Sequence, residues 1–121
     1  MALASPTATN QALDGLNAVG TPVNLMTHVS LHTATTGTTG ASEATGGGYA
    51  RQACTWNAAA SGSKTNSTAL TFSTTGATAN THFGTWSAVT AGTFGIGGAL
   101  TSSVTAVTIT VAAGALTLSA S

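Results

Sequence analysis

The spacing of hydrophobic residues changes about twenty residues into the chain. Leu13, Leu16 and Val19 recur at intervals of three, which fits one face of a helix, and a glycine and a proline then end the pattern. We therefore predict an N-terminal helical segment or arm over residues 1–22 and a separate domain over residues 23–121.

In the second segment, hydrophobic and polar residues alternate, which is the period of a β-strand with one buried face. The first run places Val29 and Leu31 on one face and Ser30 and His32 on the other. Strands are predicted within residues 23–32, 49–57, 68–73, 81–87, 94–100, 104–111 and 116–118. The pattern predicts an all-β fold, a small β-sandwich or barrel-like domain of about seven to eight antiparallel strands preceded by a short N-terminal helix.

The same alternation identifies the residues that should form the core of this domain. We expect the following eight side chains to be largely buried: Val29, Leu31, Trp56, Leu70, Phe72, Val107, Ile109 and Leu116. Cys54 is in strand phase with Trp56, so we interpret it as a buried, inert thiol rather than a nucleophile.

The composition is unusual because almost nothing is charged. Only Asp14, Glu43, Arg51 and Lys64 carry a formal charge, and the net charge is zero. Soluble domains average about a quarter charged residues, so the surface must consist mainly of hydroxyls, amides and backbone. Little electrostatic repulsion keeps copies apart, and we therefore expect a subunit of an assembly.

The composition also excludes several classes of partner. Two basic side chains are too few for a nucleic-acid-binding surface. No apolar stretch approaches the roughly 18 residues of a membrane span, and no signal-peptide pattern occurs at the N-terminus. We predict synthesis in a cytosol, with no membrane insertion and no nucleic-acid partner.

Candidate chemistry is sparse. His28 and His32 would lie about 13 Å apart along a strand, too far to share a metal ion, and no sequence feature brings His82 to them. The two carboxylates fall in different predicted elements, so they do not suggest an acid–base pair. No nucleophile-elbow or phosphate-loop spacing occurs. We predict a non-enzymatic protein that uses no metal or cofactor.

Several segments nevertheless resemble a known family. The carrying motifs are His-Val-Ser-Leu-His-Thr at 28–33, Thr-Gly-Ala-Ser-Glu at 39–43, Gly-Gly-Tyr-Ala-Arg-Gln-Ala at 47–53, Ala-Leu-Thr-Phe at 69–72, His-Phe-Gly at 82–84, Gly-Thr-Phe at 92–94, Gly-Ala-Leu at 98–100 and Ala-Ala-Gly-Ala-Leu at 112–116. With them, the chain resembles short tail fibre or minor tail proteins of actinobacterial phages and prophages. The resemblance implies a structural protein of a virion.

The resemblance leaves the position in the particle open. A tail fibre or tail-tip subunit, in contact with the host cell surface, is the first hypothesis. A head decoration protein that stabilises the capsid is the alternative, and a carbohydrate-binding module ranks last because both tryptophans are in phase with core residues. Copy number separates the first two, since a decoration protein is present in far more copies.

Five residues are candidate assembly contacts with other copies or with larger tail or capsid proteins. Leu3, Leu13, Leu16 and Val19 lie outside the strand pattern and need a surface to cover them. Arg51 follows three glycines and one Tyr-Ala pair at the start of a predicted strand. It can pair with Glu43, with a neighbouring subunit, or remain a solvated charge at a sheet edge.

Overall fold

A computed structural model describes residues 26–119. These residues form eight strands and no helix, and hence no helix that could cross a membrane. The strands are β1 (His28–His32), β2 (Gln52–Ala53), β3 (Ser63–Thr65), β4 (Leu70–Ser73), β5 (Asn80–Trp86), β6 (Phe94–Val104), β7 (Thr108–Val111) and β8 (Thr117–Ser119). The predicted helix, and with it the boundary at residue 22, lies outside the described residues.

The strands form one large sheet and two small ones, and every pairing is antiparallel. The large sheet has the order β2-β1-β5-β6, and the small sheets pair β3 with β8 and β4 with β7. The predicted all-β sandwich of about seven to eight antiparallel strands is therefore confirmed. Of the predicted strand over 49–57, only β2 forms. The structure adds β3 in the segment between residues 57 and 68, where no strand was predicted.

The main core lies between the large sheet and the β4–β7 pair. Val29 and Leu31 of β1 and Phe83 of β5 pack in one cluster with residues of the small sheet and the last turn, namely Leu70, Phe72, Ile109, Val111 and Leu116. Six of the eight predicted core residues are buried, and Cys54 is buried beside them. Trp56 is half-buried against the cluster rather than inside it.

The prediction for Val107 is wrong, because its side chain is 64% exposed. The predicted strand over 104–111 is interrupted: β6 ends at Val104, a bend follows, and β7 begins at Thr108. Val107 lies in the bend, where its carbonyl accepts a hydrogen bond from the Thr74 amide. The alternation that buries Ile109 and Val111 therefore does not extend to Val107.

The second face of the large sheet is also covered. The long loop between β1 and β2 folds over it, so that Ser30 and His32 are as buried as Val29 and Leu31. Gly40 in this loop has a φ of 75° and lies so close to the rings of Trp86 and Phe94 that a Cβ there would overlap them. β1 is thus buried on both faces rather than on one.

Asn66 connects the two halves of the small-sheet layer. Its Oδ1 accepts a hydrogen bond from the Leu116 amide at 2.9 Å, and its Nδ2 donates to the carbonyls of Thr68 and Ala112 at 2.8 and 3.0 Å. The side chain is fully buried. The β3–β4 connection is therefore tied to the turn between β7 and β8.

We predict that Asn66→Ala lowers the free energy of unfolding by about 3 kcal/mol, since three buried hydrogen bonds are lost and their backbone partners stay unpaired. Asn57→Ala is the matched control, because Asn57 is exposed and its side-chain Nδ2 donates only to Thr65 Oγ1. It should cost less than about 1 kcal/mol. Urea unfolding measures both, and equal losses would contradict the assigned role of Asn66.

Candidate functional site

An ion pair joins the β1–β2 loop to the segment that enters β2. Arg51 Nε and Nη2 donate to Glu43 Oε1 and Oε2 at 2.8 and 2.9 Å, a bidentate arrangement. The side chains of Arg51 and Glu43 are only 9% and 23% exposed. The pair with Glu43, one of the three arrangements that the sequence left open for Arg51, is formed within the chain.

The same guanidinium also holds the loop between β5 and β6. Its Nη1 donates to the carbonyls of Ala88 and Ala91 at 3.1 and 2.7 Å. Its Cζ lies 3.6 Å from the centroid of the Trp86 ring, a cation–π contact. Ala91 has a φ of 54°, a left-handed conformation that L-residues seldom adopt. Arg51 therefore fixes a strained loop to the rest of the domain.

Tyr49 closes a gap in the β1 edge. β2 pairs with β1 only at His28 and Val29, and the chain returns to β1 at Ala44, whose amide donates to the Leu31 carbonyl. The Leu31 amide lies between these contacts and donates to the Tyr49 hydroxyl at 3.0 Å, which donates in turn to Glu43 Oε1 at 3.1 Å. Burial is the main cause that raises the pKa of Tyr49, so this hydroxyl stays a donor.

A second chain of hydrogen bonds runs across the covered face of the sheet. Trp86 Nε1 donates to Ser30 Oγ at 2.8 Å, Ser30 Oγ lies 2.6 Å from His32 Nε2, and His32 Nδ1 lies 2.7 Å from the Ala41 carbonyl. An indole can only donate and a carbonyl can only accept. His32 Nδ1 therefore carries a proton and donates to Ala41. Because burial lowers the pKa of His32, the ring is neutral near pH 7, so Nε2 accepts a hydrogen bond from Ser30.

The structure brings two histidines side by side that the sequence did not connect. His32 and His82 are directly opposite each other on β1 and β5, whereas His28 lies opposite Trp86 at the far end of β1. The nitrogens of His28 and His82 that make contacts lie near the hydroxyls of Thr27 and Thr81. Between residues 26 and 119, no group of three His, Cys, Asp or Glu side chains is placed to hold a metal.

Cys54 is buried, as expected, and burial raises the pKa of its thiol. Its Sγ donates to the Thr55 carbonyl at 3.4 Å. A thiol with a raised pKa is a weak nucleophile because little thiolate is present at neutral pH. Glu43 is similarly occupied, since Arg51 and Tyr49 use both of its oxygens.

Two surface clefts flank the segment from Glu43 to Thr45. One is about 230 Å³ in volume and is lined mainly by threonines, with Asn80. The other is about 370 Å³ and has Tyr49, Arg51 and the half-exposed Val89 in its lining. The charged pair therefore forms part of the ridge between two concave surfaces.

Of the five candidate assembly contacts, the structure describes only Arg51. Leu3, Leu13, Leu16 and Val19 lie outside the described residues. Arg51 makes four hydrogen bonds inside the chain. A role of these five residues in assembly stays a prediction.

The sequence of this chain matches a known protein family. A family model described as "Podophage GP4 fiber I protein gp80" matches residues 4–119, which is nearly the whole chain. The chain therefore belongs to this family of podophage fibre proteins. A search of curated proteins gave no match.

We predict that Arg51→Met lowers the free energy of unfolding by about 2–3 kcal/mol, because Glu43 keeps a largely buried charge without its partner. Arg51→Lys should cost about 1–2 kcal/mol, since an ammonium cannot reproduce the bidentate pair and the stacking on Trp86. Chemical denaturation measures these values.

Lys64→Met is the matched control for the ion pair. Lys64 is the charged residue of 26–119 that lies outside the pair, and its loss should change stability by no more than about 0.5 kcal/mol. The double variant Glu43→Gln with Arg51→Met should be less damaged than the sum of the single changes. Arg51→Met behaving like Lys64→Met would contradict the structural role of the pair.

We predict that acidification below about pH 6.5 destabilises the protein through His32. Burial is the largest cause that lowers the pKa of His32, although the bond to Ala41 and the charge of Glu43 oppose it and Arg51 and His82 add to it. Between the lowered pKa and the usual value near 6.5, the unfolded chain binds a proton that the native state does not. The free energy of unfolding therefore suffers no loss from His32 above pH 6.5, and it decreases as the pH falls toward the native pKa of His32.

The measurement is the free energy of unfolding between pH 8 and about pH 5. His32→Gln should be less stable at every pH but should lose the part of the slope that begins near pH 6.5. His28→Gln is the matched control, because among the described residues the His28 ring has one hydrogen-bond contact, with the Thr27 hydroxyl, so the part of the slope that depends on His32 should remain. An unchanged slope in His32→Gln would mean that another group is responsible.

Proposed function

We propose that this podophage fibre protein is a non-enzymatic structural subunit of the phage tail, placed in a tail fibre or at the tail tip. The observation that carries the proposal is the match of residues 4–119 to a podophage fibre family. On this proposal the chain is made in the host cytoplasm, becomes part of the virion, and has other copies of itself and larger virion proteins as its partners.

The charge distribution supports a role in an assembly. Glu43 and Arg51 neutralise each other inside the domain, which leaves Lys64 as the one other charged residue between 26 and 119. The remaining surface is largely Thr, Ser, Ala and Gly, including exposed residues on β4, β6 and β7. A surface of this kind has little electrostatic repulsion against close packing with a neighbour.

The state of the reactive groups supports a non-enzymatic role. The Glu43 carboxylate is held by Arg51 and Tyr49, the Cys54 thiol is buried, and the His32 ring uses both nitrogens in contacts with Ser30 and Ala41. Ser30, His32 and Cys54 are also buried, so a substrate has no direct access to their polar atoms.

Four finer predictions belong to this proposal. The resemblance suggested an actinobacterial host, whereas the matching family is described by its podophage member. Leu3, Leu13, Leu16, Val19 and Arg51 remain the candidate assembly contacts. Contact with the host surface remains the expectation for a tail fibre, and head decoration remains the alternative that a particle image would reveal.

The test is to locate the protein in intact particles. An antibody against the chain, imaged by electron microscopy, should label the tail, and quantitative mass spectrometry should give the low copy number of a tail component. A copy number close to that of the major capsid protein, with label over the head, would replace the tail assignment by head decoration. Absence of the protein from purified particles would overturn the proposal altogether.

The N-terminal contacts can be tested in the full chain. Phage that encode Leu13→Ser together with Leu16→Ser should lose most of the protein from the particle, while the soluble protein keeps its unfolding midpoint. Ala12→Ser is the matched control and should be incorporated normally. Normal incorporation of the double variant would exclude these leucines as assembly contacts.

A further inference from the structure

The smaller of the two clefts beside Glu43 has an unusual lining. Five threonines, Glu43, Ala44 and Asn80 surround a space of about 230 Å³. The walls come from the end of β1, the β1–β2 loop and the connection between β4 and β5. Its surface is therefore almost entirely oxygen atoms, amide groups and methyl groups.

Asn80 at this cleft has a polar atom without a partner. The residue is 1% exposed, and its Oδ1 makes no hydrogen bond. Leaving a buried amide oxygen unpaired costs about 1–3 kcal/mol, so such groups normally have a hydrogen-bond partner from the protein, from ordered water or from a bound molecule. Rotation of the carboxamide about χ2 exchanges Oδ1 and Nδ2, so Asn80 can offer an incoming molecule an acceptor or a donor.

The threonines add further hydrogen-bonding groups. The hydroxyls of Thr33, Thr74 and Thr75 already bond to backbone groups of the domain. Thr45 and Thr78 are exposed and make no side-chain hydrogen bond within the described residues. Two exposed hydroxyls are therefore open to a molecule in the cleft, and the Asn80 carboxamide, whose Oδ1 is buried, must turn toward the cleft to join them.

The charged residues near the cleft, Glu43 and Arg51, indicate what kind of molecule can bind there. Both oxygens of Glu43 are bound by Arg51 and Tyr49, so the carboxylate is neutralised and a cation gains little there. The guanidinium of Arg51 is equally occupied by Glu43 and two carbonyls, so an anion gains little. A neutral molecule with several hydroxyl groups matches the remaining donors and acceptors best.

The size and stiffness of the cleft narrow the choice. Its volume is that of seven or eight water molecules at about 30 Å³ each, and it is smaller than the roughly 300–1,000 Å³ of pockets for drug-sized ligands. Gly47, with a φ of 65°, lies directly against the backbone of Thr74 and Thr75, where a Cβ would overlap it. The wall is thus packed into place, and the space suits a single sugar ring.

We propose that this cleft, which we call the threonine cleft, binds one neutral sugar residue of a cell-surface polysaccharide through Asn80, Thr45 and Thr78. The identity of the polysaccharide as a host component rests on the proposed function, because a fibre protein meets the host surface. The binding chemistry itself does not, and it can be tested on the isolated full chain.

Binding at one cleft is expected to be weak. No aromatic ring lines the threonine cleft, so a sugar gains hydrogen bonds but no stacking. A single site should therefore have a millimolar Kd. Several copies in one fibre would bind a repeating polysaccharide much more tightly, since each further contact is intramolecular.

The experiment titrates the isotopically labelled full-length protein with methyl glycosides of glucose, galactose, mannose and N-acetylglucosamine, followed by NMR. We expect at least one of them to give saturable shifts at the amides of Thr45, Thr78 and Asn80. Asn80→Leu removes the unpaired oxygen, so it should leave the unfolding midpoint unchanged or raised, and it should weaken binding by at least about tenfold.

Thr78→Val keeps the shape of an exposed side chain, removes one hydroxyl and should weaken binding severalfold. Thr117→Val is the matched control, because Thr117 is exposed on β8 and does not line the cleft. It should bind as the unmodified protein does. The proposal is overturned by an absence of saturable shifts with all four glycosides, by shifts confined to the neighbouring cleft at Tyr49 and Val89, or by undiminished binding in Thr78→Val and Asn80→Leu.

The two proposals fail in different ways. A protein that labels the tail but binds none of the glycosides, and whose Asn80→Leu variant is destabilised, would have a structural water at Asn80 and an intact tail assignment. A protein that binds a glycoside but is absent from the tail would keep the threonine cleft and lose the fibre function.

Discussion

The ion pair of Glu43 and Arg51 is the interaction on which the free edge of β1 and the loop between β5 and β6 depend. β1 has no continuous partner strand on one edge, and the Leu31 amide there is satisfied by the Tyr49 hydroxyl. Glu43 accepts from that hydroxyl, and Arg51 fixes Glu43 while it also holds Trp86 and the loop at Ala91. The Tyr49 hydroxyl, oriented by this charged pair, thus takes the place of a missing β-ladder partner in a chain with few other charges.

Local alternation predicted the strands but not how they are covered. Leu70 with Phe72, and Ile109 with Val111, are buried on one face of a two-stranded pair, as the period of two requires. The same rule left Ser30 and His32 on an open face, whereas the β1–β2 loop buries them. The alternation of hydrophobic and polar residues does not predict that a loop covers this face or that a bend exposes Val107. Both features depend on the tertiary structure.

The site was predictable only in part, for a similar reason. The pairing of Arg51 with Glu43 was one of three options because few charges were available. Tyr49 was missed, although its spacing of two from Arg51 places both side chains on the same side of an extended segment, where both reach Glu43. Trp86 and Asn80 come from distant parts of the chain, and no local signal marks Asn80 as a residue with an unpaired oxygen.

The pairing of Glu43 with Arg51 inside the domain limits the contacts that this protein can make with partner molecules. Once Glu43 and Arg51 neutralise each other, the exposed surface offers hydroxyls, backbone and scattered apolar groups such as Val89 and Val107. Contacts of these kinds are individually weak and are little affected by salt. A monomer with such a surface would bind poorly, whereas many copies held in one fibre gain affinity through repetition. A nearly uncharged domain is therefore better suited to a repeated structure than to solitary binding.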